Sequence, residues 1–181
     1  MKALLVKYKS VIRFVLLFLG TYILLTVVYG IYLEYTGDDS KAADGVTQLV
    51  AKQSTTILNE LGYEAAIVPH ENEPSMKLFV NGTYLAQIIE GCNSVSICIL
   101  FIAFIVAFAE RFKKTILYIL AGVALIYSVN LLRIVMLTIA LYKYPEYEQS
   151  LHGIVFPAVI YGMVFLLWMG WVRMLKPRTD A

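Results

Sequence analysis

Three side chains that could together carry out one reaction stand far apart in the chain: Cys92, Arg133 and His152. A thiol attacks an acyl carbon once a base removes its proton. A neutral imidazole can be that base and can later protonate the leaving amine. A guanidinium is always charged and donates several hydrogen bonds, which suits a developing oxyanion. Brought together, these groups would be sufficient for acyl transfer through a thioester.

The composition indicates what kind of scaffold must position these groups. Of the 181 residues, 60% are hydrophobic and only 15% are charged, whereas a soluble domain is roughly 45–50% apolar and about 25% charged. So few charged residues could not cover the surface of a soluble globular domain. The same composition excludes a disordered chain, and it excludes an outer-membrane barrel because the lumen of such a barrel is polar. The net charge of +2 gives no reason to expect nucleic acid as a partner. An integral helical membrane protein remains.

The apolar residues fall into four long runs, at 14–33, 94–109, 115–142 and 152–172. A helix needs roughly 17–25 apolar residues to cross the hydrocarbon core. We therefore predict an all-α membrane protein with a four-helix transmembrane bundle, whose second span is the shortest. The first run follows basic residues, as in a signal peptide, but its apolar core exceeds the roughly 7–15 residues of such a segment. We favour an uncleaved anchor.

The distribution of Lys and Arg predicts the orientation of the spans. Ten of the 15 basic residues precede the first run, separate the second run from the third, or follow the fourth run. Because an excess of Lys and Arg marks cytoplasmic segments, both termini are predicted to be cytoplasmic. Residues 34–91 and 143–151 are then extracytoplasmic.

The segment 34–91 has a pattern of its own. Apolar residues recur at helical spacing over 46–61, and Gly62 stands where a helix would end. Residues 65–68 favour a strand, and the β-favouring runs 76–80 and 83–89 flank Asn81-Gly82, a strong hairpin signal. We predict a small α+β extracytoplasmic insert. It could be a plain connection, but a hairpin that ends at the polar cluster Glu90-Gly91-Cys92 favours a lid or a docking element. The predicted domains are 1–33, 34–91 and 92–181.

Arg133 interrupts the third run, and ionisable residues inside a membrane mark functional sites. It lies roughly 27 Å above the cytoplasmic end of the span, in its outer half. The alternative is that its side chain snorkels to the headgroups. Asn130 shares its helix face and could equally make an interhelical hydrogen bond or belong to a site.

The cysteines and histidines differ in their neighbours. Cys92 lies among polar residues, whereas Cys98 lies in an apolar run typical of packing. They are six residues apart, too far for a disulfide along one helix. His152 opens the fourth run at the same predicted level as Cys92 and Arg133. His70 is interpreted as structural or simply exposed and not as catalytic. The sequence has no nucleotide-binding or metal-binding motif, so we expect no cofactor and no metal.

These pieces resemble the exosortase/archaeosortase family. The matching residues are Gly91-Cys92-Asn93-Ser94, Asn130-Leu131-Leu132-Arg133-Ile134 and His152-Gly153, in the family's order of Cys, Arg and His. The short length and the insert look like the compact branch from Bacteroidetes called exosortase F. The larger bacterial members have more spans than are predicted here.

The resemblance implies a membrane-embedded cysteine transpeptidase or protease at the outer face of the bacterial inner membrane, with its active site facing the periplasm. Cys92 would be the nucleophile, His152 the acid/base and Arg133 the stabiliser, with Asn93 and Asn130 in support. Substrates would be membrane-anchored proteins with a C-terminal motif, a helix and a basic tail. With few spans, the docking surface is either an open face of the bundle in the lipid bilayer or is completed by a partner membrane subunit.

Two other functions compete with this interpretation. A thiol-oxidising membrane protein would need paired cysteines in its outer loops, and only Cys92 is predicted to lie near the outer face. A non-catalytic membrane assembly or export factor with a degenerate site is the second alternative, because a fold does not prove turnover.

Overall fold

The computed structural model describes residues 8–37, 43–109 and 111–175. Within these residues, the fold has one three-stranded sheet and five helices longer than ten residues: α1 Lys9–Gly37, α2 Gly45–Glu60, β1 Ala65–Pro69, β2 Met76–Val80, β3 Thr83–Ile88, α3 Val95–Ala107, α4 Phe112–Lys143 and α5 Phe156–Met174. Two short segments matter for the site. A 3-10 turn at Glu90–Cys92 precedes α3, and a π-helical turn at Leu151–Val155 leads into α5.

In the described parts of the chain, three helices are long and apolar enough to cross a membrane: Lys9–Thr36, Phe112–Lys143 and Leu151–Met174. They correspond to the first, third and fourth runs of the sequence. None of the most apolar part of α1 is buried inside the protein, so its surface suits contact with lipid. The chain is therefore a helical membrane protein.

The second apolar run differs from the expectation. It forms only the 13-residue α3, about 20 Å long and shorter than the roughly 17–25 residues of a typical span. Cys92 closes a 3-10 turn and Ser94 takes a left-handed φ of 63°, so the residues before Val95 do not extend the helix. Three candidate spans and one short apolar helix are seen, and the predicted four-helix bundle is not confirmed.

The short helix α3 nevertheless lies at the centre of the helical region. It packs against α1, α4 and α5. Phe101 and Ile105 of α3 are fully buried, together with Ile126 of α4 and Val164 of α5. Cys98 is half-buried against the same cluster, as expected for a packing residue.

Gly122 of α4 permits the close approach of α3. A Cβ added there would clash with the ring of Phe101. We expect Gly122→Ala to lower the free energy of unfolding by about 1–3 kcal/mol, because a packed core yields little to an added methyl group. Thermal unfolding of the detergent-solubilised protein measures this. Gly162→Ala in α5 is the matched control, since no atom lies within 4 Å of its Cβ position. Equal melting temperatures for the two variants would contradict the packing argument.

The segment between α1 and α3 folds as its pattern predicts. Asp44 caps α2 by accepting hydrogen bonds from the backbone N–H groups of Val46 and Thr47, at 3.0 and 3.1 Å. The helix ends before Gly62, whose φ is +88°. Asn81 and Gly82 both have positive φ, at 50° and 77°, which is the signature of a type I′ hairpin turn. The predicted helix, first strand and hairpin are confirmed.

This segment is packed against the membrane helices. The sheet has the order β1-β2-β3 with antiparallel pairing throughout. Alternate residues of β2 are buried, and Leu78 shares a core with Val50 and Leu58 of α2 and with Ile134 and Val135 of α4. One hydrophobic core thus joins α2, the sheet and α4, which holds β3 beside α4.

Candidate active site

A pocket of about 200 Å³ lies between β3, α4 and the π-helical turn. Cys92, Arg133 and His152 all line it. They come from the 3-10 turn before α3, from α4 and from the π-helical turn before α5. The tertiary structure therefore brings together the three residues whose chemistry is complementary.

Cys92 is positioned by the end of the hairpin. Strand β3 stops at Ile88, and the backbone N–H of Cys92 donates to the carbonyl of Ile89 at 2.8 Å, which closes the 3-10 turn. Its thiol is free and half-buried. The end of β3 and the 3-10 turn that follows it therefore place Cys92 at the pocket.

Asn93 ties this turn to three helices. Its Nδ2 donates to the Tyr29 hydroxyl of α1 at 2.8 Å and to Oγ1 of Thr47 in α2 at 3.1 Å. Its Oδ1 accepts from the backbone N–H of Val95, the first residue of α3, at 2.9 Å. Thr47 in turn donates to the carboxylate of Asp44. Asn93 is 1% exposed, and buried polar groups with satisfied partners hold a unique geometry.

Asn130 ties the same turn to α4. Its Nδ2 donates to the carbonyl oxygen of Cys92 at 2.7 Å, and its side chain is fully buried. Of the two roles that the sequence left open, the structure shows an inter-element hydrogen bond that ends on the main chain of Cys92. Asn130 therefore fixes where Cys92 lies relative to Arg133, one helical turn further along α4.

Arg133 is a half-buried cation without a protein counter-charge in the described parts of the chain. The ion pair found there joins Lys77 and Glu71 instead, and the buried Nε of Arg133 has no hydrogen-bond partner among the described residues. Buried donors without partners are costly and call for an explanation. Donors that remain unused in a pocket are free to bind an anionic oxygen of a ligand.

His152 lies in the π-helical turn and is exposed. The candidate span Leu151–Met174 begins beside this residue, as the apolar run predicts, and its first turn is π-helical up to Val155. Turns of this type are frequent at functional sites because they redirect side chains. His70 lies between β1 and β2 and is half-buried. Its Nδ1 accepts from the backbone N–H of Asn72 at 3.2 Å, in keeping with a structural role.

The walls of the pocket were not predicted. Their residues belong to β2, β3 and α4: Leu78, Leu85, Ala86, Gln87, Ile88, Ile134, Leu137, Thr138 and Leu141. On α4, the spacing of Arg133, Leu137 and Leu141 is the i, i+4, i+8 pattern of one helix face, and this signal could have been found. No signal in the sequence showed that β3 would face α4.

The chemistry available here is that of a thiol, an imidazole and a guanidinium beside apolar walls. Within residues 8–37, 43–109 and 111–175, no three His, Cys, Asp or Glu side chains gather closely enough to hold a metal ion. A thiol beside an imidazole and a guanidinium is a set of groups suited to nucleophilic attack on an acyl carbon.

Comparison with known proteins places the chain in a family. Residues 4–172 match the family model described as transmembrane exosortase (Exosortase_EpsH). No curated protein and no solved structure matches the chain. The matched region covers nearly the whole sequence and contains all three of Cys92, Arg133 and His152. The chain therefore belongs to the transmembrane exosortase family.

Proposed function

We propose that this protein is a membrane-embedded cysteine transpeptidase or protease that cleaves the C-terminal sorting signals of exported proteins. The observation that carries the proposal is the shared pocket of Cys92, Arg133 and His152 in a chain of the transmembrane exosortase family. Cys92 is the nucleophile, His152 the acid/base and Arg133 the stabiliser of negative charge. Asn93 and Asn130 hold the turn that carries Cys92.

The reaction runs through a thioester. His152 takes the proton of the Cys92 thiol while Sγ attacks the carbonyl carbon of the scissile peptide bond. Arg133 donates to the oxyanion that forms on the carbonyl oxygen. The C–N bond then breaks, and the amine leaves with the proton held by His152. Water or a nucleophilic acceptor then gives a proton to His152 and attacks the thioester carbon. The C–S bond breaks, the acyl group leaves on the acceptor, and His152 returns the proton to the Cys92 thiolate.

The bilayer arrangement follows from the basic segments. The proposed orientation has both termini in the cytoplasm and the pocket at the periplasmic face of the bacterial inner membrane. In it, α3 serves as a short second span, which requires local thinning of the bilayer around it. The substrate is a protein anchored by a C-terminal helix with a basic tail. As a compact enzyme of the exosortase F type, the protein binds this substrate at an open face of its helical bundle, or a partner subunit completes the docking surface.

Orientation can be measured by labelling introduced cysteines. Lys52 in α2 and Lys113 at the start of α4 are both exposed. In a Cys92→Ser/Cys98→Ser background, we expect Lys52→Cys to react with a membrane-impermeant maleimide in spheroplasts. Lys113→Cys should react only after the membrane is permeabilised. Reaction of both positions in intact spheroplasts would overturn the proposed placement of the pocket.

The proposed function is tested by following processing in cells. The gene is deleted in the source bacterium, and the C-terminal peptides of exported membrane proteins are measured by mass spectrometry. Proteins that keep a C-terminal motif, helix and basic tail should accumulate in the deletion strain and disappear when the full chain is returned. Identical C-termini in both strains would contradict a sorting protease.

A further inference from the structure

Strand β3 is an edge of the sheet. Within the described residues, β2 pairs with it on one side and no strand pairs with it on the other. An edge strand presents unpaired N–H and C=O groups that can pair with another extended chain. A substrate segment can pair with this edge only if the edge is open to the pocket.

The pocket runs along this edge. Four consecutive residues of β3, at 85–88, line it. Successive side chains of a strand point to opposite faces of the sheet. Ala86 and Ile88 share the sheet face of Leu78, whereas Gln87 points to the other face. A pocket lined by these residues therefore extends from that face to the edge of the strand. The side chain of Gln87 is engaged elsewhere, because its Nε2 donates to Glu73 and Ser75 at 2.6 Å each.

The register shows which main-chain groups face outward. The pair Val80–Thr83 closes the two-residue hairpin and is a hydrogen-bonded pair. Pairs alternate along an antiparallel ladder, and the bulge at Leu78/Phe79 adds one residue on β3. The pair Leu78–Ala86 is then hydrogen-bonded, and the pair Lys77–Gln87 is not. The N–H and C=O groups of Gln87 consequently point away from β2, toward the free edge.

We propose that the scissile segment of the substrate binds as an extended strand along the free edge of β3, paired with the main chain of Gln87. This inference rests on the proposed function and specifies how its substrate is held. The recognition mode is β-strand addition, in which main-chain hydrogen bonds give affinity and pockets select alternate side chains. From Gln87 the chain leads through Ile88 and the 3-10 turn to Cys92, so a paired segment runs toward the nucleophile.

The size and the far wall of the pocket agree with this occupant. Its volume of about 200 Å³ lies below the roughly 300–1,000 Å³ of pockets for drug-sized ligands. A space of this size suits a short stretch of extended chain. Opposite β3, Ile134, Leu137 and Leu141 of α4 form an apolar wall, which favours small or apolar side chains at alternate substrate positions.

The test uses three electrophilic probes on the full-length protein in detergent. They are an acetyl-tetraalanine vinyl sulfone, the same peptide with all of its amides N-methylated, and methyl vinyl sulfone. The second probe keeps the side chains and the warhead but cannot donate to a strand edge. We expect the tetraalanine probe to alkylate Cys92 about tenfold faster than either of the other two. The rates are measured by mass spectrometry of the Cys92 peptide.

A pair of variants at one position localises the effect. Gln87→Pro removes the outward N–H group, and proline is tolerated at such an edge position. It should abolish the advantage of the tetraalanine probe. Gln87→Ala removes only the side chain and should keep that advantage. In each variant the advantage is expressed as a ratio to the rate with methyl vinyl sulfone, which has no amide to pair with the strand and reports only the accessibility of Cys92.

The experiment distinguishes a failure of strand addition from a failure of the proposed function. If the tetraalanine probe and its N-methylated form alkylate Cys92 of the unmodified protein at equal rates, strand addition is wrong while the reactive thiol stands. This comparison does not depend on the folding of any variant. If Cys92 is inert toward all three probes, the proposed function fails and the inference fails with it.

Discussion

Cys92→Ser should abolish processing, with uncleaved substrates accumulating as in the deletion strain. A serine hydroxyl fills nearly the volume of the thiol, so the protein should reach the membrane in normal amounts. The hydroxyl is a far poorer nucleophile at neutral pH, and loss of a catalytic nucleophile costs at least about 10³-fold in turnover. The measurement is the ratio of uncleaved to mature C-terminal peptides.

Cys98→Ser is the matched control for this experiment. Cys98 is half-buried in the apolar cluster of α3, α4 and α5 and does not line the pocket of Cys92. We expect this variant to process substrates normally. Full processing by Cys92→Ser would eliminate the cysteine mechanism and favour a non-catalytic assembly or export factor.

Arg133→Lys should reduce processing by about 10²–10³-fold, the usual cost of losing a donor to an oxyanion. Lysine keeps the positive charge but lacks the planar fork of donors, and its ammonium group is a single point charge. An arginine that merely snorkels to the headgroups would tolerate this change, because lysine snorkels equally well. The measurement is the rate at which mature substrate appears after induction of the variant.

Arg111→Lys provides the control for Arg133→Lys. Arg111 precedes α4 at the opposite end of the same helix and is exposed. It should process at the unmodified rate. Normal processing by Arg133→Lys would show that the guanidinium is not the oxyanion donor.

Local patterns in the sequence were enough for the secondary structure of the segment before α3. Asn81-Gly82 requires two positive φ values in succession, a conformation that few residue pairs adopt, so the hairpin could be predicted from two residues. The end of α2 at Gly62 follows from the same conformational freedom. Both features depend on neighbours in the chain, which is why no knowledge of the fold was needed.

The length of the helix in the second apolar run could not be predicted from the local pattern. The run 94–109 has 16 residues. It reaches the roughly 17–25 residues of a span only if Cys92 and Asn93 are added to it. Whether residues 92–94 join the helix depended on contacts with distant parts of the chain: Asn93 binds Tyr29 and Thr47, and Asn130 binds the carbonyl of Cys92. These hydrogen bonds hold residues 92–94 in a conformation that does not continue into α3.

The sequence by itself determined the class of protein and the chemically competent residues, because hydropathy and side-chain chemistry belong to each residue. It also indicated that Cys92, Arg133 and His152 share one level, since helix length converts residue number into depth. Only the tertiary structure decided that they line one pocket and that β3 is its wall. Both depend on packing between residues far apart in the chain, such as Leu78 against Ile134, and packing of this kind leaves no local pattern in the sequence.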